Sequence, residues 1–430
     1  MPLRSITSLL PSGSARRPVM LLALGTFALG TDAFVISGVL SKVASGLGVS
    51  LGTAGLLITY FSGVYAVSAP ISAVLTGNMS RKRVMQLALT IFILANLLAV
   101  FAPDYGVMVA ARVLAAIGAG LYTPAATAAA SSIAKPEERG RALTMVLSGL
   151  TIANLVGVPL GTLIGQAVNW RVTFAVVAAL GAIALAGLTH SLGAIPSLGV
   201  ISLRDRISAI SIKGVPWTLL SNTIAICGIF TLYVYLAWFV GDVGGVTGTA
   251  LTLIYLIFGV TAVICSFSAG WLIDHIVPAR IAALSLGSLF IVHAGFAVTA
   301  WVEHGSVSGS TAAAYVLGCL VALWGLTSWL FNPAQQKRLV LAAGTRAPVV
   351  LSLFASSLYA GQALAGVLGG LLVQHGPLSL AIAAAACVLV ALLVHLVSAA
   401  REIFPSAREL PLADPGSSAV PVTAPTRGSA

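Results

Sequence analysis

A chain of 430 residues that is 58% hydrophobic and only 8% charged, with a mean hydropathy of +1.04, is no water-soluble globular protein, because such a protein carries about 25% charged residues. Composition alone makes it an all-α membrane protein with many spans and no room for an extramembrane domain. A net charge of +11 would suggest nucleic acid in a soluble chain, but the positions of the basic residues give it another meaning here, and no nucleic-acid partner is expected.

Residues 1–17 carry Arg4, Arg16 and Arg17. They read as a cytoplasmic tail, since the apolar run after them is too long for the core of a signal peptide. Twelve apolar spans of about 20 residues then begin near Pro18, Leu51, Val84, Tyr105, Ala142, Val172, Pro216, Val246, Ile281, Thr311, Ala347 and Pro377. In the first, Pro18 to Leu40, the only charged side chain is Asp32. An ionised carboxylate at that depth costs roughly 2.5–3.5 kcal/mol on insertion scales, so Asp32 is a candidate for proton or ion handling.

The fourth span holds a second intramembrane charge, Arg112, with Gly118 and Gly120 beyond it. At 1.5 Å of rise per residue, Asp32 lies roughly 12 Å and Arg112 roughly 9 Å below the same surface, so the two opposite charges share a level and can pair. In the fifth span Gly157, Gly161 and Gly165 recur every four residues around Pro159. That places them on one helix face, where backbones approach closely, and Pro159 removes a backbone hydrogen bond. Gly366 and Gly370 repeat the spacing in span eleven.

A polar stretch at 193–215 divides the spans into two sets of six, 18–192 and 216–399. This suggests an internal duplication with a binding site between the halves, as in secondary transporters. Residues 400–430, rich in Pro, Ser and Ala, read as a disordered cytoplasmic tail. Of the 22 Lys and Arg residues, all but Lys42, Arg112 and Arg171 fall in the tails or the even-numbered loops, so the positive-inside rule sets both termini in the cytoplasm. Polar and aromatic residues within the spans, Tyr60, Tyr122, Asn154, Asn222, Tyr233, Trp238, Trp324 and Gln362, are candidates for a solute cavity, which mixes aromatic surface with a few hydrogen-bonding groups. Singly, each is as readily a helix-contact residue. No HExxH or Walker pattern occurs, so neither an enzyme nor a cofactor is expected.

Taken in order, several of these segments resemble the major facilitator superfamily across residues 18–399. Within it the chain is similar to the twelve-span drug:proton antiporters, in particular the arabinose-efflux-like and chloramphenicol-resistance-like bacterial exporters. The stretch from Gly30-Thr31-Asp32 through Phe61 is similar to that branch's first two spans. Arg112 with Gly118 and Gly120 matches its span-four motif, Gly149 to Gly161 its span-five antiporter motif, and Asn169 to Phe174 the opening of its sixth span. The loop signature departs from the pattern at 73–82: Arg81 and Lys82 are present, but Gly77 stands at the acidic position, whereas the second half keeps Asp274.

The resemblance implies the major facilitator fold and a proton-coupled exporter of a small organic molecule, such as a chloramphenicol-like drug, in the bacterial inner membrane. Asp32 and Arg112 would serve coupling, and Gly157, Pro159, Gly161, Gly165, Arg81 and Asp274 conformational change. Partners would be the bilayer, the solute and protons, with the protein as a monomer. A sugar or nucleoside exporter of the same fold is the alternative, and a receptor or passive channel a remote one.

Overall fold

The computed structural model describes residues 15–193, 195, 208–303 and 310–400. The expected tails at 1–17 and 400–430 and the linker at 193–215 therefore lie wholly or mostly outside the described residues. Twelve crossing helices are present: α1 (Arg16–Gly46), α2 (Leu51–Leu75), α3 (Arg81–Val100), α4 (Tyr105–Ile133), α5 (Pro136–Ala167), α6 (Trp170–Ser191), α7 (Val215–Val234 continued by Leu236–Gly244), α8 (Thr249–His275), α9 (Pro278–Val302), α10 (Thr311–Ala343), α11 (Ala347–Leu372) and α12 (Pro377–Ala400). Between α10 and α11 the chain only tightens into a short turn at Gly344–Arg346. There is no strand among the described residues.

Local chemistry sets the helix ends. One face of the bundle, here the basic face, carries Arg81, Lys82, Arg83, Lys135, Arg139, Arg141, Lys213, Arg280 and Arg346 near helix termini. At the opposite, far face, α2, α4, α6 and α10 start behind Ser50, Asp104, Asn169 and Ser310, whose side chains accept hydrogen bonds from backbone N–H groups of the first turn. Such caps satisfy donors that a helix start leaves open. At the basic face, α7, α9 and α11 instead begin with a proline in the first turn, where its missing N–H costs nothing. Large apolar side chains such as Leu94, Ile183, Leu284, Ile291 and Leu393 are more than half exposed. In lipid that apolar surface is solvated by acyl chains, and each helix satisfies its own backbone.

Two spans are not continuous α-helices. α5 passes through a π turn at Ala153–Gly157. Proline at 159 has no N–H to give the carbonyl of Leu155, so the ladder changes register just ahead of it. α7 breaks at Tyr235, whose backbone leaves the helical region before a second segment begins at Leu236. The apolar count per residue does not register a one-residue break. The eighth span, expected to begin near Val246, starts at Thr249.

The core shows how the helices are arranged. One apolar cluster runs through both sets of helices. In the first set it holds only far-half residues such as Ile36, Val39 and Leu57, and in the second it runs from Phe239 and Phe296 to Ile273 and Ile281 near the basic face. Toward the basic face the two sets have no common cluster. One cluster is built from α1 to α6, around Leu22, Met85, Phe92 and Val146. A separate small one holds Val215, Leu339, Val350 and Phe354. Residues 16–192 and 215–400 thus meet over the far half of the bundle and part toward the basic face.

Candidate functional site

The deepest charges lie beside this seam. Asp32 on α1 and Arg112 on α4 are 0% and 1% exposed, and Arg112 Nη1 donates to Asp32 Oδ1 at 2.8 Å. The second guanidinium nitrogen reaches the Asp32 backbone carbonyl at 3.4 Å. The guanidinium plane lies over Phe61 at 4.5 Å, with Phe174 at 5.9 Å, a cation–π arrangement that further offsets its desolvation. Asp32 Oδ2 and Arg112 Nε have no hydrogen-bond partner. The pair is therefore held by one strong contact, and one carboxylate oxygen and one guanidinium nitrogen are unused.

The glycines of α5 lie against α1. A Cβ at Gly157 would overlap Thr31, one at Gly161 would overlap Val35, and one at Gly165 would overlap Val39. Gly157, Gly161 and Gly165 share one face, and the residue before Asp32 rests on the first of them. Gly157 closes the π turn, and Asn154 lies within it. The Asn154 amide donates to Leu150 O at 3.1 Å and its oxygen accepts from Tyr233 on α7 at 3.5 Å. A Cβ on Gly259 of α8 would strike the Asn154–Leu155 backbone. One short element thus connects the acid's helix to the second set of helices.

Beyond Tyr233 lies an aromatic cluster. Its ring centroid is 6.4 Å from Phe34, 5.9 Å from Tyr255, 5.3 Å from Phe258 and 6.1 Å from Trp324. Trp324 is 5.0 Å from His293. Nearer α11, Ser62 donates to Gln362 Oε1 at 3.1 Å, and Asn222 donates to Ser357 at 2.8 Å. Tyr65 and Tyr359 stack at 3.6 Å across the seam.

Of the residues proposed from sequence to line a cavity, Asn154, Tyr233 and Gln362 therefore meet at the seam. Asn222 meets Ser357 on α11, Trp324 stands behind Tyr233, and Trp238 packs half-buried against the core. Two are corrected. Tyr122 is fully buried between α1 and α4, its hydroxyl donating to Leu22 O at 3.1 Å and its ring filling the space over Gly25; it is a helix-packing residue. Tyr60 is 39% exposed and joins no aromatic contact. Arg81 and Asp274 are not joined. The Arg81 side chain is 9% exposed, and its backbone N–H donates to Ile195 O. Asp274 pairs with Lys337 at 3.0 Å on the same side of the seam.

Sequence reasoning missed two clusters. Arg338 was read as a loop residue, but α10 is 33 residues long, which buries Arg338 among Gln335, His395 and Ser398. His395 donates from Nε2 to Ala279 O, so its Nδ1 is the acceptor facing Arg338. His293, the other omission, lies amid aromatic rings. The signal was available in each case as an ionisable residue inside an apolar span.

A bundle of twelve crossing helices with a buried ion pair beside a seam that is closed at one face defines a multi-pass membrane transporter. The family model described as Major Facilitator Superfamily matches residues 22–347, and the chain belongs to that superfamily. It is 31% identical over 358 residues to YbcL of Bacillus subtilis (strain 168), an uncharacterized MFS-type transporter, covering 83% of this chain and 89% of that one. It is 30% identical over 279 residues to the chloramphenicol resistance protein of Streptomyces lividans, covering 64% and 71%. The crystal structure of the nucleoside transporter NupG superposes with a TM-score of 0.73 at 11% identity, covering 89% of this chain and 99% of that one, which is a likeness of fold.

Proposed function

We propose that this chain is a proton-coupled exporter of a small organic molecule across a bacterial inner membrane, working by alternating access. Two six-helix halves, 18–192 and 216–399, rock about the seam, with both termini in the cytoplasm and the basic face inward. The substrate class is drug-like, with a chloramphenicol-like compound as the first probe. The supporting likeness is to a relative that bears that name.

The observation that carries this reading is the Asp32–Arg112 pair, buried at 2.8 Å beside the seam. Protonating Asp32 removes one of the two charges and weakens the hold of α1 on α4. Thr31, next to it, bears on Gly157 of the π turn, and Asn154 in the same turn meets Tyr233 of the other half. A shift of α1 therefore has a short mechanical route to the contact between halves. A ligand or proton moves such an equilibrium only by differing in affinity for its two states, and the pair gives the proton that difference.

In inverted membrane vesicles, Asp32→Asn should abolish uphill, pH-gradient-driven transport while the protein still reaches the membrane. Transport against a gradient at the parental rate by Asp32→Asn would remove Asp32 from the coupling step. A sugar or nucleoside exporter is the second reading, favoured by the uncharged amides Asn222 and Gln362 close to the seam.

A further inference from the structure

The polar groups between α2, α7 and α11 have a common character. Neither α2, nor α11, nor the first segment of α7 contains a charged residue. The nearest carboxylate of the seam, Asp32, is engaged by Arg112. What remains is neutral. Ser62, Asn222 and Gln362 are 1%, 0% and 3% exposed. Each amide uses one end within the protein: Gln362 Oε1 accepts from Ser62, and Asn222 Nδ2 donates to Ser357. The other ends, Gln362 Nε2 and Asn222 Oδ1, have no partner. From Ser357, which Asn222 contacts, to Gln362 the positions span about 7.5 Å of helix, and the stacked rings of Tyr65 and Tyr359 lie in the same stretch.

A buried amide with one end unused costs about 1–3 kcal/mol, and the cost is recovered only by a group that supplies the missing hydrogen bond. Gln362 offers a donor and Asn222 an acceptor. On these three segments an entering cation would meet no carboxylate, and an anion no cation. Either would lose its hydration without compensation. A site built of hydrogen-bonding groups also rejects solutes that lack the partner.

We propose that Asn222 and Gln362, with Ser62 across the seam, form the solute-recognition site. It takes a neutral solute bearing several hydroxyl or amide groups, with a flat or ring face set against Tyr65 and Tyr359. This rests on the reading that a solute passes through the seam. The same chemistry is found in sugars and in neutral amide-alcohol antibiotics, so the test carries both.

The full chain, reconstituted in liposomes, is assayed for counterflow at equal pH with three probes: chloramphenicol, glucose and the lipophilic cation tetraphenylphosphonium. Exchange of chloramphenicol or glucose, and not of the cation, is expected, and which neutral probe exchanges identifies the source. Gln362→Met and Asn222→Leu, on separate helices and each checked for monodispersity, should each raise KM about tenfold, the loss of one neutral hydrogen bond. Gln362→Asn, which keeps the amide, should fall between. Exchange of tetraphenylphosphonium by the parent, exchange of neither neutral probe, or an unchanged KM in both variants overturns the proposal. A pH gradient then separates this from the coupling reading. Neutral exchange that depends on Gln362 but is never driven uphill leaves the site standing and removes proton coupling. Proton-driven transport of the cation that ignores Gln362→Met does the reverse.

Discussion

Arg112 holds Asp32 through one short hydrogen bond, reaches the same residue's carbonyl and sets its guanidinium carbon 4.5 Å from the centre of the Phe61 ring. Only a planar, forked cation makes all three contacts. Arg112→Gln leaves the carboxylate buried without its charge partner, and breaking a buried pair from one side costs about 3–5 kcal/mol. Thermal unfolding in detergent should show that loss. The double variant Arg112→Gln with Asp32→Asn, which replaces both charges by amides, should recover most of the stability and none of the uphill transport. A double variant as unstable as Arg112→Gln alone would mean that the lost stability comes from packing over Phe61 and not from the stranded acid. Arg112→Lys keeps the charge without the fork, and should lie between parent and Gln in stability and rate. This pair was legible in sequence because each residue is a lone charge in an apolar span and helical rise placed both at one depth. Tyr122 was open to either reading because an aromatic in a span looks the same from sequence whether it faces a seam or fills the space over a glycine such as Gly25. Arg338 was hidden because it stands beside the half-buried Lys337 in a polar stretch where a loop was expected.

The fifth helix shows what sequence pattern reads well and where it stops. Four-residue spacing of Gly157, Gly161 and Gly165 identifies a face, and α1 lies against it along Thr31, Val35 and Val39. The spacing does not reveal that the helix slips into a π turn at Ala153–Gly157, since that depends on which carbonyl Pro159 leaves without a donor. Nor does it reveal the break of α7 at Tyr235. The consequence of the glycine face can be tested. Gly161→Leu forces α1 and α5 apart where neither backbone has room, and should slow net efflux far more than it weakens solute binding measured at equilibrium. Pro159→Ala restores the N–H for Leu155 and favours an unbroken α-helix. It should rotate Asn154 away from Tyr233 and also lower turnover. Parental turnover in both variants would make this face mere packing.

At the scale of the whole molecule, the far face is shut by close backbone contact rather than by ion pairs. Gly52 and Gly370 face each other across α2 and α11, and Thr59 donates to Ala363 O at 2.9 Å. Small residues let the backbones approach, and in lipid that contact is van der Waals packing with a few hydrogen bonds. It is strong enough to hold one state and free of any charge that would have to be desolvated again on reclosing. The basic face has no equivalent contact among the described residues, and the core clusters there are separate. If transport requires the far face to open, fixing this seam must stop it. A Cβ at Gly63 would lie 3.8 Å from the Cβ of Ala363, the separation usual for a disulfide. With Cys227, Cys265, Cys319 and Cys387 replaced by serine or alanine and activity verified, Gly63→Cys with Ala363→Cys should cross-link on mild oxidation. Oxidation should reduce turnover to background, and a reductant should restore it, while each single-cysteine variant is unaffected. Solute binding from the basic side should survive the cross-link, because the apolar clusters of the two sets are separate there. Full turnover in the oxidised double variant would show that α2 and α11 stay together throughout the cycle, and the moving contact would have to be sought between α5 and α8 instead.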